Sequence, residues 1–183
     1  MILYRCSALD RDAGVTDPDG PLWFPRVFQG SGRHDNPDRY GCLYVAETAV
    51  AGVVESLARF RGTTFSPAML RRRGLPLALV ELELGPAAAE TLVDLDDPAI
   101  LLREALTPSR VATRQRAITQ VIAADLWATR SEAAGLRWWS TFEASWLNVT
   151  LFDRGARHLG VVAVRELSAT DSLLTEAREL LGL

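Results

Sequence analysis

Hydrophobic and polar positions repeat with changing period along these 183 residues, and each change marks an element. The opening "ILYRCS" (2–7) predicts a short strand. Residues 10–42 lose periodicity and are rich in Gly, Pro and Asp, which predicts a long loop ordered by Trp23, Phe24 and Phe28. "CLYVA" (42–46) has period two and sets Tyr44 opposite Leu43 and Val45, on a face away from the core. Thr48 can cap the next helix, which runs to about Phe60 with Val50, Val53, Val54 and Leu57 as its apolar stripe. "LALVELEL" (77–84) turns Val80, Leu82 and Leu84 inward and Glu81 and Glu83 outward, as a half-buried antiparallel strand does. "ETLVDL" (90–95) predicts a further short strand.

The stretch 107–135 predicts one long helix, with Thr107 as N-cap and Pro108 at its first position. Val111, Ile118, Val121, Ile122 and Leu126 form its stripe, and Gly135 would end it. Three strands follow in "LRWWSTF", "SWLNVTLF" and "HLGVVAVREL". A last helix is expected from about Ser168, with Asp171 three residues on as a partial capping box. Helices and strands mix without regular alternation, which favours an α+β fold of mixed, mainly antiparallel sheets with flanking helices over a doubly wound one. The length suits one domain, 1–183.

Composition narrows the chemistry. All 20 basic residues are arginine, so a lysine nucleophile, a lysine base and a P-loop lysine are excluded. Cys6 and Cys42 are too few and too far apart for a disulfide framework or zinc site, and His34 and His158 are the only histidines, so no metal centre is expected. A net charge of -3 gives no field to draw nucleic acid or an anionic membrane. "RRR" (71–73) reads as a solvated loop, too short a block to bind nucleic acid by itself. The start lacks a signal peptide's basic and long apolar regions, and no apolar run is long enough to span a bilayer, so the expected location is the cytoplasm.

Several residues carry candidate chemistry. In "GSGRHDNP" (30–37), two glycines allow close backbone approach to a ligand, and Arg33 offers a fork of donors suited to phosphate oxygens; a surface turn reads equally well. Glu55 sits at the border of its helix's stripe, where Ala51 and Gly52 would leave a space for the carboxylate to overlook; pairing with Arg59 at i+4 is the alternative. Tyr44 could stack on a planar ring or simply pack in its strand. Ser140 could bind a sugar hydroxyl or be an ordinary strand serine, and no histidine lies close in sequence to activate it. Arg5 is either an edge residue or a buried arginine that needs an anion.

Taken together, "LYRCS", "GSGRHDNP" followed by "LYVAET", the helix carrying Glu55, and "GLRWWSTF" resemble the RES domain family, the toxin half of RES–Xre toxin–antitoxin pairs, over about residues 2–165. The resemblance implies a fold like that of ADP-ribosyltransferases and identifies Arg33, Glu55 and Ser140 as the catalytic arginine, glutamate and serine. Arg5 and Tyr44 match two further positions of a pocket for NAD⁺. His34 departs from the family, which usually carries an aromatic or apolar residue there. The implied activity is cleavage of the nicotinamide–ribose bond of NAD⁺ as substrate. Phosphorolysis would give nicotinamide and ADP-ribose 1″-phosphate, with phosphate as co-substrate; hydrolysis, protein ADP-ribosylation and a non-catalytic antitoxin-binding module are the alternatives. No other cofactor is implied. The implied partners are an Xre-type antitoxin and further copies of the chain, in homo- or hetero-oligomers.

Overall fold

Each predicted strand forms, but the longest predicted helix does not survive intact. The computed structural model describes residues 1–143 and 145–183. In chain order its elements are β1 (Ile2–Ala8), β2 (Cys42–Ala46), α1 (Ala49–Leu57), β3 (Arg71–Arg72), β4 (Leu75–Leu84), α2 (Pro86–Ala89), β5 (Val93–Asp94), α3 (Pro98–Arg103), α4 (Pro108–Ala112), α5 (Arg116–Thr129), β6 (Gly135–Trp139), β7 (Leu147–Phe152), α6 (Asp153–Ala156), β8 (Leu159–Glu166) and α7 (Ser172–Leu181). The class is α+β, mostly antiparallel with flanking helices. The chain divides into two compact units.

One unit comprises Ile2–Trp23, Val45–Glu83 and Gly160–Leu183. Here β4 pairs antiparallel with β1 from Ile2↔Glu83 to Ala8↔Leu77, and β1 meets the end of β2 at Tyr4↔Ala46. Leu77 to Val80 are all buried, so the first half of β4 is covered on both faces; only beyond Val80 does the expected alternation hold. Residues 71–73 are not a plain loop: Arg71 and Arg72 pair with Pro76 and Leu75 across a turn in which Arg73 and Gly74 both have positive φ. Thr48 caps α1 by accepting from the Ala51 amide, and the buried faces of α1 (Val53, Val54, Leu57) and α7 (Leu174, Ala177, Leu181) pack together. Asp171 is itself the N-cap of α7, accepting from the Leu173 amide, so the helix starts later than the pattern implied.

The other unit comprises Met1, Phe24–Tyr44 and Leu84–Leu159. β6 pairs antiparallel with β7 and parallel with β5, which is only two residues long. Above them lies an apolar cluster including Cys42, Val111, Ile122, Leu126, Leu136 and Trp138. The helix predicted over 107–135 is two helices, broken at 113–115, and Gly135 opens β6 instead of ending a helix. Neither Gly nor Pro lies at the break; a buried arginine decides it, as described below. The break resets the helical face, so α5 buries Thr119, Ile122, Ala123 and Leu126 and leaves Val121 55 % exposed, outside the stripe. Of the three loop aromatics, Trp23 and Phe24 are half-buried, whereas Phe28 is 69 % exposed.

Candidate functional site

Loop 30–36 is built around a carboxylate that sequence reasoning passed over. Asp35 is buried, and its Oδ2 accepts from the amides of Gly30 and Gly32, each at 2.7 Å. Its Oδ1 accepts from the Tyr44 hydroxyl, also at 2.7 Å. The Tyr44 oxygen in turn accepts from the His34 amide at 2.9 Å. From the other side, Gln120 Nε2 donates to the carbonyls of Gly30 and Gly32 at 3.0 and 2.9 Å. The close approach that the glycines allow is therefore to Asp35: a Cβ on Gly32 would come within 2.6 Å of both Asp35 Oδ1 and the Tyr44 hydroxyl. These glycine amides do not cradle a phosphate, because an internal anion already occupies the turn.

Arg33 is carried by that loop and is buried. Its Nη1 donates to the carbonyls of Val111 and Thr113, both at 2.9 Å. In a continuous helix the Val111 carbonyl would accept from residue 115; that amide instead donates to Thr113 Oγ1 at 3.2 Å. The guanidinium thus replaces the helical bond and separates α4 from α5. Thr119 Oγ1, in the first turn of α5, closes the joint by donating to the Arg33 carbonyl. The guanidinium carbon stands 4.8 Å from the centroid of the Trp138 ring.

Trp138 and Ser140 share one face of β6 and its extension, with Thr150 of β7 beside them. Trp138 Nε1 donates to Thr150 Oγ1 at 3.0 Å, and that hydroxyl lies 2.8 Å from His34 Nδ1. His34 stands edge-on to Trp138 with centroids 5.3 Å apart. Burial, then the charges of Arg33 and Arg116, hold its pKa well below the ordinary value. His34 is a neutral ring at neutral pH and fills the place of the aromatic expected there. Ser140 is buried just past the end of β6; its Oγ accepts from the Phe142 amide at 3.1 Å, and its own amide donates to Trp146 O at 2.7 Å.

Tyr44 does lie opposite Leu43 and Val45, but its face is not free of core. Cys42 on the same face is buried and Tyr44 packs against the apolar cluster, so β2 is covered on both sides. Burial, then neighbouring Cys42 and Asp35, push the phenol well above its ordinary value, so it stays protonated and remains a donor to Asp35.

Arg5 and Glu55 belong to the other unit. β1 lies between β4 and β2, so Arg5 is not an edge residue. Its guanidinium donates to the carbonyls of Pro21 and Trp23 at 2.6 and 2.8 Å, fixing the loop after β1, and no ion pair of Arg5 is found among the described residues. Burial lowers its pKa to about 10, with Cys6 raising it and Arg72 lowering it further, so it stays charged at neutral pH. Glu55 is exposed on α1. The space imagined over Gly52 is filled: a Cβ there would sit 3.5 Å from the Tyr4 carbonyl, so small residues let α1 close on β1.

The structure brings Arg33 and Tyr44 into one network with Asp35, His34, Gln120, Thr119, Trp138 and Thr150, and Ser140 follows Trp138 two residues on, just past the end of β6. Of those six, His34 stood out in the sequence only as a departure from the family pattern, and Thr119 shows there as a polar residue on an otherwise apolar helix face. Among the described residues no group of three or more His, Cys, Asp or Glu could hold a metal ion, and no helix is long and apolar enough to cross a membrane.

The RES domain family model matches residues 2–172. This chain belongs to the RES domain family. In structure it is similar to a chain of the crystal structure of the M. tuberculosis MbcT–MbcA toxin–antitoxin complex, with a TM-score of 0.68 and 19 % identity. The alignment covers 100 % of this RES chain and 89 % of that one, a likeness of fold. No curated protein matches it in sequence.

Proposed function

We propose that this RES-domain protein is the toxin of a toxin–antitoxin pair and that it destroys NAD⁺ at the nicotinamide–ribose bond. Support comes from family membership across residues 2–172 and from the fold shared with a chain of a toxin–antitoxin complex. The observation that carries the reading is the buried network that joins Arg33 and Tyr44 to Trp138, two residues before Ser140 at the end of β6.

In the proposed reaction a phosphate oxygen attacks C1″ of the ribose. The C1″–N bond breaks, and its electron pair leaves with neutral nicotinamide. The product is ADP-ribose 1″-phosphate, and the phosphate proton passes to solvent. Positive charge develops on the ribose ring as the bond opens, and the Glu55 carboxylate stabilises it. Arg33 and Arg5 bind the pyrophosphate or the incoming phosphate. Ser140 orients the ribose. Tyr44 packs against the nicotinamide or the ribose while its hydroxyl holds the loop. With water as the acceptor the same steps give ADP-ribose. NAD⁺ is substrate here, and no resident cofactor is invoked. An Xre-type antitoxin, blocking the pocket in a hetero-oligomer, and self-association of the toxin complete the proposal, which places the protein in the cytoplasm without direct nucleic-acid or membrane contact.

Product analysis by NMR or mass spectrometry tests this. Purified protein with NAD⁺ and phosphate is expected to yield equal amounts of nicotinamide and ADP-ribose 1″-phosphate; ADP-ribose in its place assigns water as the acceptor. Label transferred from NAD⁺ to proteins of a lysate, without free product, overturns NAD⁺ degradation in favour of protein ADP-ribosylation. Intact NAD⁺ after long incubation leaves a non-catalytic antitoxin-binding module.

A further inference from the structure

We infer that Asp35 is a positioning residue: an internal anion that fixes the loop from which Arg33 is presented. The inference rests on the reading above, in which Arg33 contacts the phosphates of NAD⁺. Three donors converge on one buried carboxylate, the amides of Gly30 and Gly32 on Oδ2 and the Tyr44 hydroxyl on Oδ1. Hydrogen bonds to a charged acceptor are among the stronger ones, and a buried carboxylate without them would be costly. The loop therefore closes around Asp35 in a single arrangement. Gln120 holds the carbonyls of the same two glycines, and Thr119 holds the carbonyl of Arg33 itself. A side chain rather than a ligand thus sets the backbone on both sides of Arg33, and the site is preorganised before any substrate arrives. Tyr44 has a share in the same device, because its hydroxyl passes the constraint from Asp35 to the amide of His34, the residue next to Arg33.

The test uses the full chain and two readouts. In steady-state NAD⁺ consumption, Asp35→Ala is expected to raise KM for NAD⁺ about tenfold with kcat nearly unchanged, the scale of losing strong hydrogen bonds that set a binding group. Asp35→Asn keeps a carbonyl oxygen for the two glycine amides and is expected to stay within about threefold of the parent KM. Added formate, which replaces the excised carboxylate, is expected to lower the KM of Asp35→Ala. In hydrogen exchange, Asp35→Ala is expected to lose protection at residues 29–36 selectively. Should Asp35→Ala fail to fold, Tyr44→Phe, which removes one of the three donors, is expected to raise KM by about threefold. Unchanged KM in folded Asp35→Ala, or in Tyr44→Phe where Asp35→Ala does not fold, or a fall in kcat at constant KM, overturns the inference. A parent protein that leaves NAD⁺ intact refutes the reaction but not the clamp, which exchange then judges alone: unchanged protection at 29–36 overturns it.

Discussion

The guanidinium of Arg33 stands over the indole of Trp138, 4.8 Å from the ring centroid, in the same buried network that splits one predicted helix into two. A side chain expected to meet a ligand is thus also a structural peg.

Arg33→Ala should therefore have two separable effects. Two backbone carbonyls lose their donor at the α4–α5 joint, which is expected to cost about 1–3 kcal/mol of stability, read in denaturant unfolding. KM for NAD⁺ should rise more than kcat falls. A loss confined to kcat, with KM unchanged, would contradict a binding role.

Glu55→Ala should behave in the opposite way. The residue is exposed on α1, so stability is expected to stay within about 0.5 kcal/mol of the parent. NAD⁺ loss should nevertheless vanish, because no other carboxylate has been assigned to the developing charge. Full turnover in the purified variant would remove Glu55 from the mechanism.

Two glycine-to-alanine substitutions should differ sharply. Gly32→Ala places a Cβ within 2.6 Å of Asp35 and Tyr44, both of them held by hydrogen bonds, and is expected to destabilise by about 1–3 kcal/mol. Gly52→Ala meets the Tyr4 backbone at ordinary contact distance and gains helix propensity, so it should be neutral or stabilising by up to about 1 kcal/mol. Thermal unfolding of both variants checks the pair. A damaging Gly52→Ala would mean that α1 has no room against β1.

Stability should rise with pH across the range just below neutrality. His34 has a folded pKa far below its unfolded value of about 6.5, so below that pH the unfolded chain binds a proton that the folded chain excludes. Stability is then lost at up to about 1.4 kcal/mol per pH unit as pH falls from the unfolded pKa toward the folded one. His34→Phe should flatten this slope between about pH 5 and 6.5, measured by denaturant unfolding. An unchanged slope would assign it to other groups.

Local order was legible in the sequence wherever chain neighbours alone create it. The strand "CLYVA", the Thr48 cap, Pro108 at a first helical turn and the outward Glu83 all follow from side-chain period and backbone geometry, which act over a few residues. The α+β class followed from the order of those elements. Arg33, Tyr44 and Ser140 could be singled out because charge, aromaticity and hydroxyl chemistry are visible in one letter. What those letters cannot carry is the identity of the partner. Arg33 found the carbonyls of Val111 and Thr113, some eighty positions away, and broke a helix whose own propensities were unobjectionable. The glycines of the same loop closed on Asp35, and Arg5, read as an edge residue or as a buried one needing an anion, found two carbonyls. Burial is the reason. Once water is excluded, each donor and acceptor must take the partner that tertiary packing brings within reach, and only folding brings residues so far apart in the chain together.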